Sequence, residues 1–323
     1  MEEKIDLKDR KILAELDFNA RESITKIAKK IRISKEVALY RIKKLENSGI
    51  IKQYSAIINT AKLGYYYCRL FIKFQNTNKE IEQKIINHLK NNSKLAYLGI
   101  IDGSWDLAIG LWVRNLNEFE KFIDDFVFKN GRYILEKEIS MGLHIWQFQY
   151  RYLLNKKETQ EFETGGEKKQ GKIDDTDKKL LVLLTQNARM GYEELSRKLK
   201  LTGKAISYRI KNLQKKQIIV GFRTSINYKK FGYSNNKILL YLQNLTKNQF
   251  KDIISYIKSL PNCIYITKPI GKSDLEFEVL SKDREEFFLI MKELRENFRG
   301  IIRSYNHFIV HEESISRFIP LKV

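Results

Sequence analysis

Apolar residues recur at helical spacing in three short segments near the start of the chain, residues 6–17, 23–31 and 34–47. Ser34 stands where the N-cap of the third segment belongs. Three helices with a turn of three or four residues before the third are typical of a helix-turn-helix. The pattern therefore predicts a helix-turn-helix domain over residues 1–60, followed by short strand-like alternation.

The apolar pattern of the next hundred residues alternates between strands and two longer helices. Residues 65–74 predict a strand and residues 79–90 a helix. Two strands flank Asp102-Gly103-Ser104, and a second helix and a long strand region follow. The order β-α-β-β-α-β is that of a ferredoxin-like domain, in which two helices cover one face of an antiparallel sheet.

The chain repeats this plan. Ala20–Tyr65 aligns without a gap with Ala188–Tyr233, and fifteen of the 46 aligned positions are identical. The same offset aligns Gly103 with Gly271, so the duplication covers the whole unit. We expect an α+β fold, a tandem duplication of a winged-type helix-turn-helix domain followed by a ferredoxin-like domain.

The composition between the two copies predicts a flexible linker, because it is polar and contains Gly165-Gly166. The expected domains, in chain order, are a helix-turn-helix domain at 1–60, a ferredoxin-like domain at 61–154, the linker at 155–172, a second helix-turn-helix domain at 173–228 and a second ferredoxin-like domain at 229–323.

Positive charge is concentrated in the two helix-turn-helix segments. The chain of 323 residues has a formal net charge of +21; residues 21–62 carry a net +8 and residues 189–230 a net +10. Two basic modules on a nearly neutral remainder indicate a polyanion as partner. The alternative is a general bias toward lysine in the proteins of the source organism.

The remaining composition indicates a cytoplasmic protein without a cofactor. The N-terminus is polar, no apolar run reaches about 18 residues, and Cys68 and Cys263 lack the spacing of a metal or redox motif. The four histidines form no convincing metal site, and no nucleophile–base arrangement or phosphate loop occurs. We therefore expect no catalytic residue, no bound metal and no enzymatic activity.

The third helix of a helix-turn-helix lies in the DNA major groove, and phosphate contacts surround it. Exposed residues of the third helices should meet DNA, the capping residues can meet a phosphate, and Arg21 and Arg189 are candidate phosphate clamps. The candidate DNA-binding residues are Arg21, Ser34, Lys35, Glu36, Leu39, Tyr40, Arg41, Lys43, Arg189, Thr202, Lys204, Ser207, Tyr208, Arg209 and Lys211.

The residues that carry a family resemblance are Ile5-Asp6, Asp9, Ile12-Leu13, Asn19-Ala20-Arg21, Ser34, Val37, Arg41-Ile42, Leu45, Gly49-Ile50-Ile51, Tyr54, Gly64-Tyr65 and Gly103-x-x-Asp106-Leu107. Through them the chain resembles the leucine-responsive/AsnC (Lrp/AsnC) family of transcription regulators. The resemblance implies a DNA-binding domain followed by a ferredoxin-like sensor domain, and dimers that pair through their sensor sheets. Here two units are fused, so the sheets should meet face to face within one chain, as an intramolecular pseudo-dimer that can assemble further. Arg32 and Lys200 replace the glycine that is usual in the turn of the family.

The resemblance also implies an amino acid or similar small molecule as effector. Its candidate residues are Gly103, Asp106, Gly271 and Asp274. A purely structural role, with each aspartate holding backbone amides in a tight turn, is the alternative. Two other functions stay open: a sirohaem decarboxylase of the same architecture, against which the absence of His and Arg from residues 95–107 and 263–275 argues, and an architectural chromatin protein without an effector.

Overall fold

The computed structural model describes residues 5–154, 160–169, 171–316 and 319–321. The first unit contains α1 (Leu7–Phe18), α2 (Ile24–Ile31), α3 (Lys35–Asn47), β1 (Ile51–Ile58), β2 (Tyr66–Phe74), α4 (Lys79–Lys90), β3 (Leu95–Gly103), β4 (Leu107–Val113), α5 (Leu116–Asn130) and β5 (Ile134–Phe148). Strand β6 (Glu161–Gly165) follows.

The second unit repeats the first, element by element. It contains α6 (Asp175–Gln186), α7 (Tyr192–Leu199), α8 (Gly203–Lys215), β7 (Ile219–Ile226), β8 (Ser234–Leu242), α9 (Lys247–Ser259), β9 (Cys263–Gly271), β10 (Leu275–Ser281), α10 (Arg284–Asn297) and β11 (Ile302–Ser316). The expected α+β fold, with two helix-turn-helix segments and two β-α-β-β-α-β segments, is confirmed. Among the described helices, none is long and apolar enough to cross a membrane.

Strand β6 lies inside the segment that we expected to be a flexible linker. It pairs antiparallel with β5, and Phe162 and Thr164 are buried while their neighbours are exposed. The expectation was wrong for residues 161–165, because this alternation gives even a very polar strand one apolar face. Residues 155–159 and 170 of the predicted linker lie outside the described residues.

Strands β1 and β7 pair antiparallel and form a two-stranded ribbon, which joins the two helix-turn-helix domains. Ser55 faces Arg223, its own equivalent in the repeat, so the pairing is two-fold symmetric about these residues. The register shifts are symmetric as well, since Ile51 pairs with Ile226 and Ile58 with Ile219. Each strand contacts the first helix of the other unit, β1 with α6 and β7 with α1. Each helical core therefore includes residues of both units.

The two ferredoxin-like sheets join into one closed barrel. The strands follow the order β2-β4-β3-β11-β8-β10-β9-β5, and β5 pairs with β2 to close the ring. We expected the two sheets to meet face to face; they also share backbone hydrogen bonds at both edges. The reason is that the edges match: the β3–β11 and β5–β9 seams are equivalent under the repeat. Helices α4 and α5 cover one side of the barrel and α9 and α10 the other.

Two glycines allow the strands to approach closely at these seams. A Cβ atom on Gly103 would lie 2.5 Å from the carbonyl oxygen of His307, and Gly103 has a φ of +130°. A Cβ atom on Gly271, the equivalent residue, would lie 2.8 Å from the carbonyl oxygen of Ile139. Any side chain at these positions would push the two units apart.

We predict that Gly103→Ala destabilises the whole chain. The new methyl group collides with backbone, and alanine disfavours this φ, so the free energy of unfolding should fall by about 2–4 kcal/mol. Chemical denaturation monitored by circular dichroism measures this change.

Gly131→Ala is the matched control, since a Cβ atom there meets nothing within 4 Å and the backbone is helical. That variant should be neutral or slightly more stable. Equal stability of the two variants would show that the seam does not hold the units together.

Candidate DNA-binding surface

Helices α3 and α8 expose corresponding faces. Ala38, Ile42 and Leu45 turn the apolar side of α3 to the core, as Ile206, Ile210 and Leu213 do in α8. On the opposite side, Tyr40 and Tyr208 are 70% and 71% exposed. The predicted contact residues that share this exposed character are Lys35, Glu36, Leu39, Lys43, Lys204 and Lys211, whereas Ser207 is half-buried.

We call α3 and α8 the reading helices, since each is the third helix of a helix-turn-helix. The start of each has the capping geometry that the sequence predicted. Ser34 Oγ accepts from the backbone N–H of Val37 at 3.2 Å, and Thr202 Oγ1 accepts from Ala205 N–H at 3.2 Å. In the preceding turn, Arg32 and Lys200 adopt left-handed backbone conformations, with φ of 58° and 53°. Each turn thus keeps the backbone conformation that glycine favours, at some cost in strain. Each also gains one exposed positive charge next to its reading helix.

Arg41 and Arg209 have structural partners within the helical domains. The Nη1 atom of Arg41 donates to Asp6 at 2.7 Å and to Asp9 at 2.8 Å, which ties α3 to the start of α1. Hydrogen bonds from the Asp9 backbone amide, and then from Arg41, hold the pKa of the Asp6 carboxyl below its usual range. Arg209 binds Asp174 and Asp177 in the same way in the second unit. The ion pairs help to position α3 and α8. The DNA contacts that we expected of Arg41 and Arg209 stay a prediction, and they would use the other nitrogens of the guanidinium groups.

Arg21 and Arg189 connect the two helix-turn-helix domains to each other. Arg21 Nη1 donates to the carbonyl oxygens of Ala188 and Met190, and Arg189 Nη1 donates to those of Ala20 and Glu22. We expected both to clamp phosphates. A charged donor that spans the domain contact fixes the distance between the reading helices, and any phosphate contact would have to use the remaining nitrogens of the same guanidinium groups.

The four candidate effector residues all have structural contacts. Asp106 accepts from the backbone N–H of Phe74 and from Lys73 Nζ, both at 2.7 Å. Asp274 accepts from the backbone N–H of Leu242 at 2.7 Å. Gly103 and Gly271 are the seam glycines described above. These contacts are those of the purely structural role, which is the alternative to effector binding.

The barrel contains buried charged residues that were not predicted from the sequence. Arg69 and Glu276 form a buried ion pair between the two units, with one Nη2–Oε1 distance of 2.8 Å. Lys237 Nζ lies 3.1 Å from the same glutamate. The available signal was the presence of single charged residues within otherwise apolar strands, since a buried charge needs a partner.

Two family models match the chain in the regions that carry this geometry. One, described as a winged helix-turn-helix DNA-binding domain, matches residues 5–52, and the other, an AsnC-type helix-turn-helix domain, matches residues 173–214. An uncharacterised HTH-type transcriptional regulator of Pyrococcus abyssi is 30% identical over 115 residues, which cover 36% of this chain and 72% of that protein. The HTH-type transcriptional regulator Ptr1 of Methanocaldococcus jannaschii is 31% identical over 114 residues, 35% of this chain and 75% of that protein.

One solved structure is similar over nearly the whole chain. The sirohaem decarboxylase NirDL has a TM-score of 0.64 at 11% identity, and the match covers 96% of this chain and 93% of that one. At this identity the likeness concerns the fold alone. The relatives of higher identity are named transcriptional regulators and match one unit at a time. The chain therefore belongs to the leucine-responsive/AsnC family of helix-turn-helix DNA-binding transcription regulators, with two units fused in tandem.

Proposed function

We propose that a single chain binds one operator as the counterpart of a dimer, and presents α3 and α8 to two half-sites. The observation that supports this proposal is the symmetric register of the ribbon, which relates the two helix-turn-helix domains by a two-fold axis through Ser55 and Arg223. Two-fold related helices are the arrangement that reads two half-sites along one face of DNA. The regulatory role implies a cytoplasmic location.

Within this proposal, the predicted contact residues on α3 and α8 and at their caps, apart from Arg41 and Arg209, divide into two groups. The later lysine of each helix and the capping hydroxyls meet phosphates, which position the protein without reading sequence. Residues early in each helix reach base edges, and the exposed tyrosines lie in the groove. The first group comprises Ser34, Lys43, Thr202 and Lys211, and the second Lys35, Glu36, Leu39, Tyr40, Lys204, Ser207 and Tyr208.

We infer that this activity is not combined with catalysis. The named relatives are regulators, and the likeness to the decarboxylase is confined to the fold. An effector at the turns that contain Asp106 and Asp274 stays a prediction. The carboxylates of these two residues already accept hydrogen bonds from backbone amides, so an effector would have to bind beside these bonds.

The first test of the proposal is the salt dependence of DNA affinity. Neutralising six or more phosphates should lower the affinity by about 10³-fold or more between roughly 50 and 200 mM salt. Replacing Lys43 and its equivalent Lys211 by alanine should reduce the slope of log affinity against log salt by about 1–2. Fluorescence anisotropy with a duplex selected from random DNA measures both quantities.

The matched control replaces Lys79 and Lys251 by alanine, since these exposed lysines lie on sensor helices α4 and α9. This variant should keep the wild-type slope. A slope that changes as much in the control as in the reading-helix variant would mean that DNA does not lie across α3 and α8.

We also predict an operator with two different half-sites. The backbone is two-fold symmetric, but Glu36 is replaced by Lys204 in the second reading helix. A glutamate can accept from the amino group of cytosine, whereas a lysine favours the acceptors of guanine. Exchanging the two, as Glu36→Lys with Lys204→Glu, should change the preferred base pair at one position in each half-site, by about 1–3 kcal/mol for each contact.

Sites selected from a random library by the wild type and by the exchanged variant provide the measurement. Glu80→Lys, a charge reversal on the exposed side of α4, should leave the selected sequence unchanged. Recovery of a perfect palindrome as the best wild-type site would contradict the assignment of these two positions to base reading.

A further inference from the structure

A cavity of about 250 Å³ lies between the ribbon and the barrel. Its roof consists of the centre of the ribbon, including Ser55 and Arg223, and its walls come from both ferredoxin-like domains. The volume is near the lower end of the range of small-molecule pockets. An occupant would therefore touch both the sensor barrel and the ribbon that joins the DNA-binding domains.

The cations along the cavity wall each have a carboxylate partner, although Arg69 Nε and Arg223 Nη2 are buried without a hydrogen-bond partner among the described residues. Arg69 binds Glu276, Lys237 Nζ lies 3.1 Å from the same carboxylate, and Arg223 Nε donates to Asp17 at 2.7 Å. Their side chains are only 7%, 8% and 9% exposed, respectively. Their charges are compensated within the protein, and little of their surface is open to a ligand.

Two lining carboxylates, in contrast, keep open surface. Glu313 is exposed, and the side chain of Glu278 is 21% exposed although Lys237 lies 3.2 Å from it. A cation placed beside these carboxylates would stabilise their charged forms.

Aromatic rings complete the walls. Five aromatic residues line the cavity and are each partly exposed: Tyr67, Tyr97, Trp112, Tyr150 and Tyr265. The rings of Tyr67 and Trp112 lie 4.8 Å apart. Burial raises the pKa of Tyr67 to about 12, so its hydroxyl stays neutral. Aromatic faces attract cations, more strongly when water is excluded.

The carboxylates come from the second unit only. The residues equivalent to Glu278 and Glu313 in the first unit are Gly110 and Ile145, and they occupy the corresponding strand pairings of the barrel. Closure of the barrel therefore does not require acids at these positions. Their presence on one side of an aromatic cavity indicates a role in binding.

We propose that this cavity binds a small organic amine, with its ammonium group beside Glu278 and Glu313 against the surrounding aromatic rings and its apolar body toward Phe71 and Phe308. Any effect of the bound amine on DNA binding would rest on the function proposed above. The site itself is defined by the barrel, the ribbon and their side chains.

Calorimetric titration of the full chain with phenethylamine, phenylpropionate and phenethyl alcohol tests the proposal. These probes share an aromatic body and differ in charge. Phenethylamine should bind more tightly than the alcohol, and phenylpropionate should not bind. Glu313→Gln should weaken the amine by about tenfold or more. Glu312→Gln, a change at an exposed neighbour that does not line the cavity, should leave the affinity unchanged.

Tryptophan fluorescence provides a second measurement, because Trp112 lines the cavity whereas the other two tryptophans, Trp105 and Trp146, lie outside its lining. The amine should change the emission of the wild type, and Trp112→Phe should lose this change. Preference for the carboxylate, equal affinity of the two glutamine variants, or no binding of the amine would overturn the proposal. The titration contains no DNA, so its failure is distinguishable from a failure to bind an operator.

Discussion

Strands β1 and β7 belong to different units, and each completes the helix-turn-helix domain of the other. The backbone N–H of Ala20 donates to Phe222 and that of Ala188 donates to Tyr54, so equivalent hydrogen bonds form on both sides of the axis. Because β7 packs on α1 and β1 packs on α6, neither helical domain has its full core without the other unit. The spacing and orientation of the two reading helices follow from this exchange.

The backbone obeys two-fold symmetry while the side chains do not. On the axis itself, Arg223 forms a buried ion pair with Asp17, whereas the equivalent residues Ser55 and Thr185 share a hydrogen bond from a hydroxyl to a carbonyl oxygen. The cavity repeats this contrast, since both lining carboxylates come from the second unit, and the reading helices repeat it at Glu36 and Lys204. A dimer of identical chains could not vary one side independently, so the fusion permits an asymmetric operator and an asymmetric cavity.

Local features could be predicted from the sequence because they depend on neighbouring residues. The caps at Ser34 and Thr202 and the order of helices and strands are of this kind. The repeat could be predicted as well, because the two halves of the sequence align directly. Arg21 and Arg189 were assigned to phosphates because only their charge and position were visible; their partners lie in the other unit. Strand β6 was missed because one buried phenylalanine, Phe162, makes only a weak apolar signal. The closure of the barrel depends on the register between distant strands, which no local pattern specifies.

The claim that one chain equals one DNA-binding dimer can be tested most directly by stoichiometry. Sedimentation of the purified chain with a duplex that contains a single selected operator, at concentrations well above the dissociation constant, gives the mass of the complex. The account predicts one chain bound to one duplex, with both half-sites protected from cleavage. A complex that requires two chains for protection of both half-sites would contradict it.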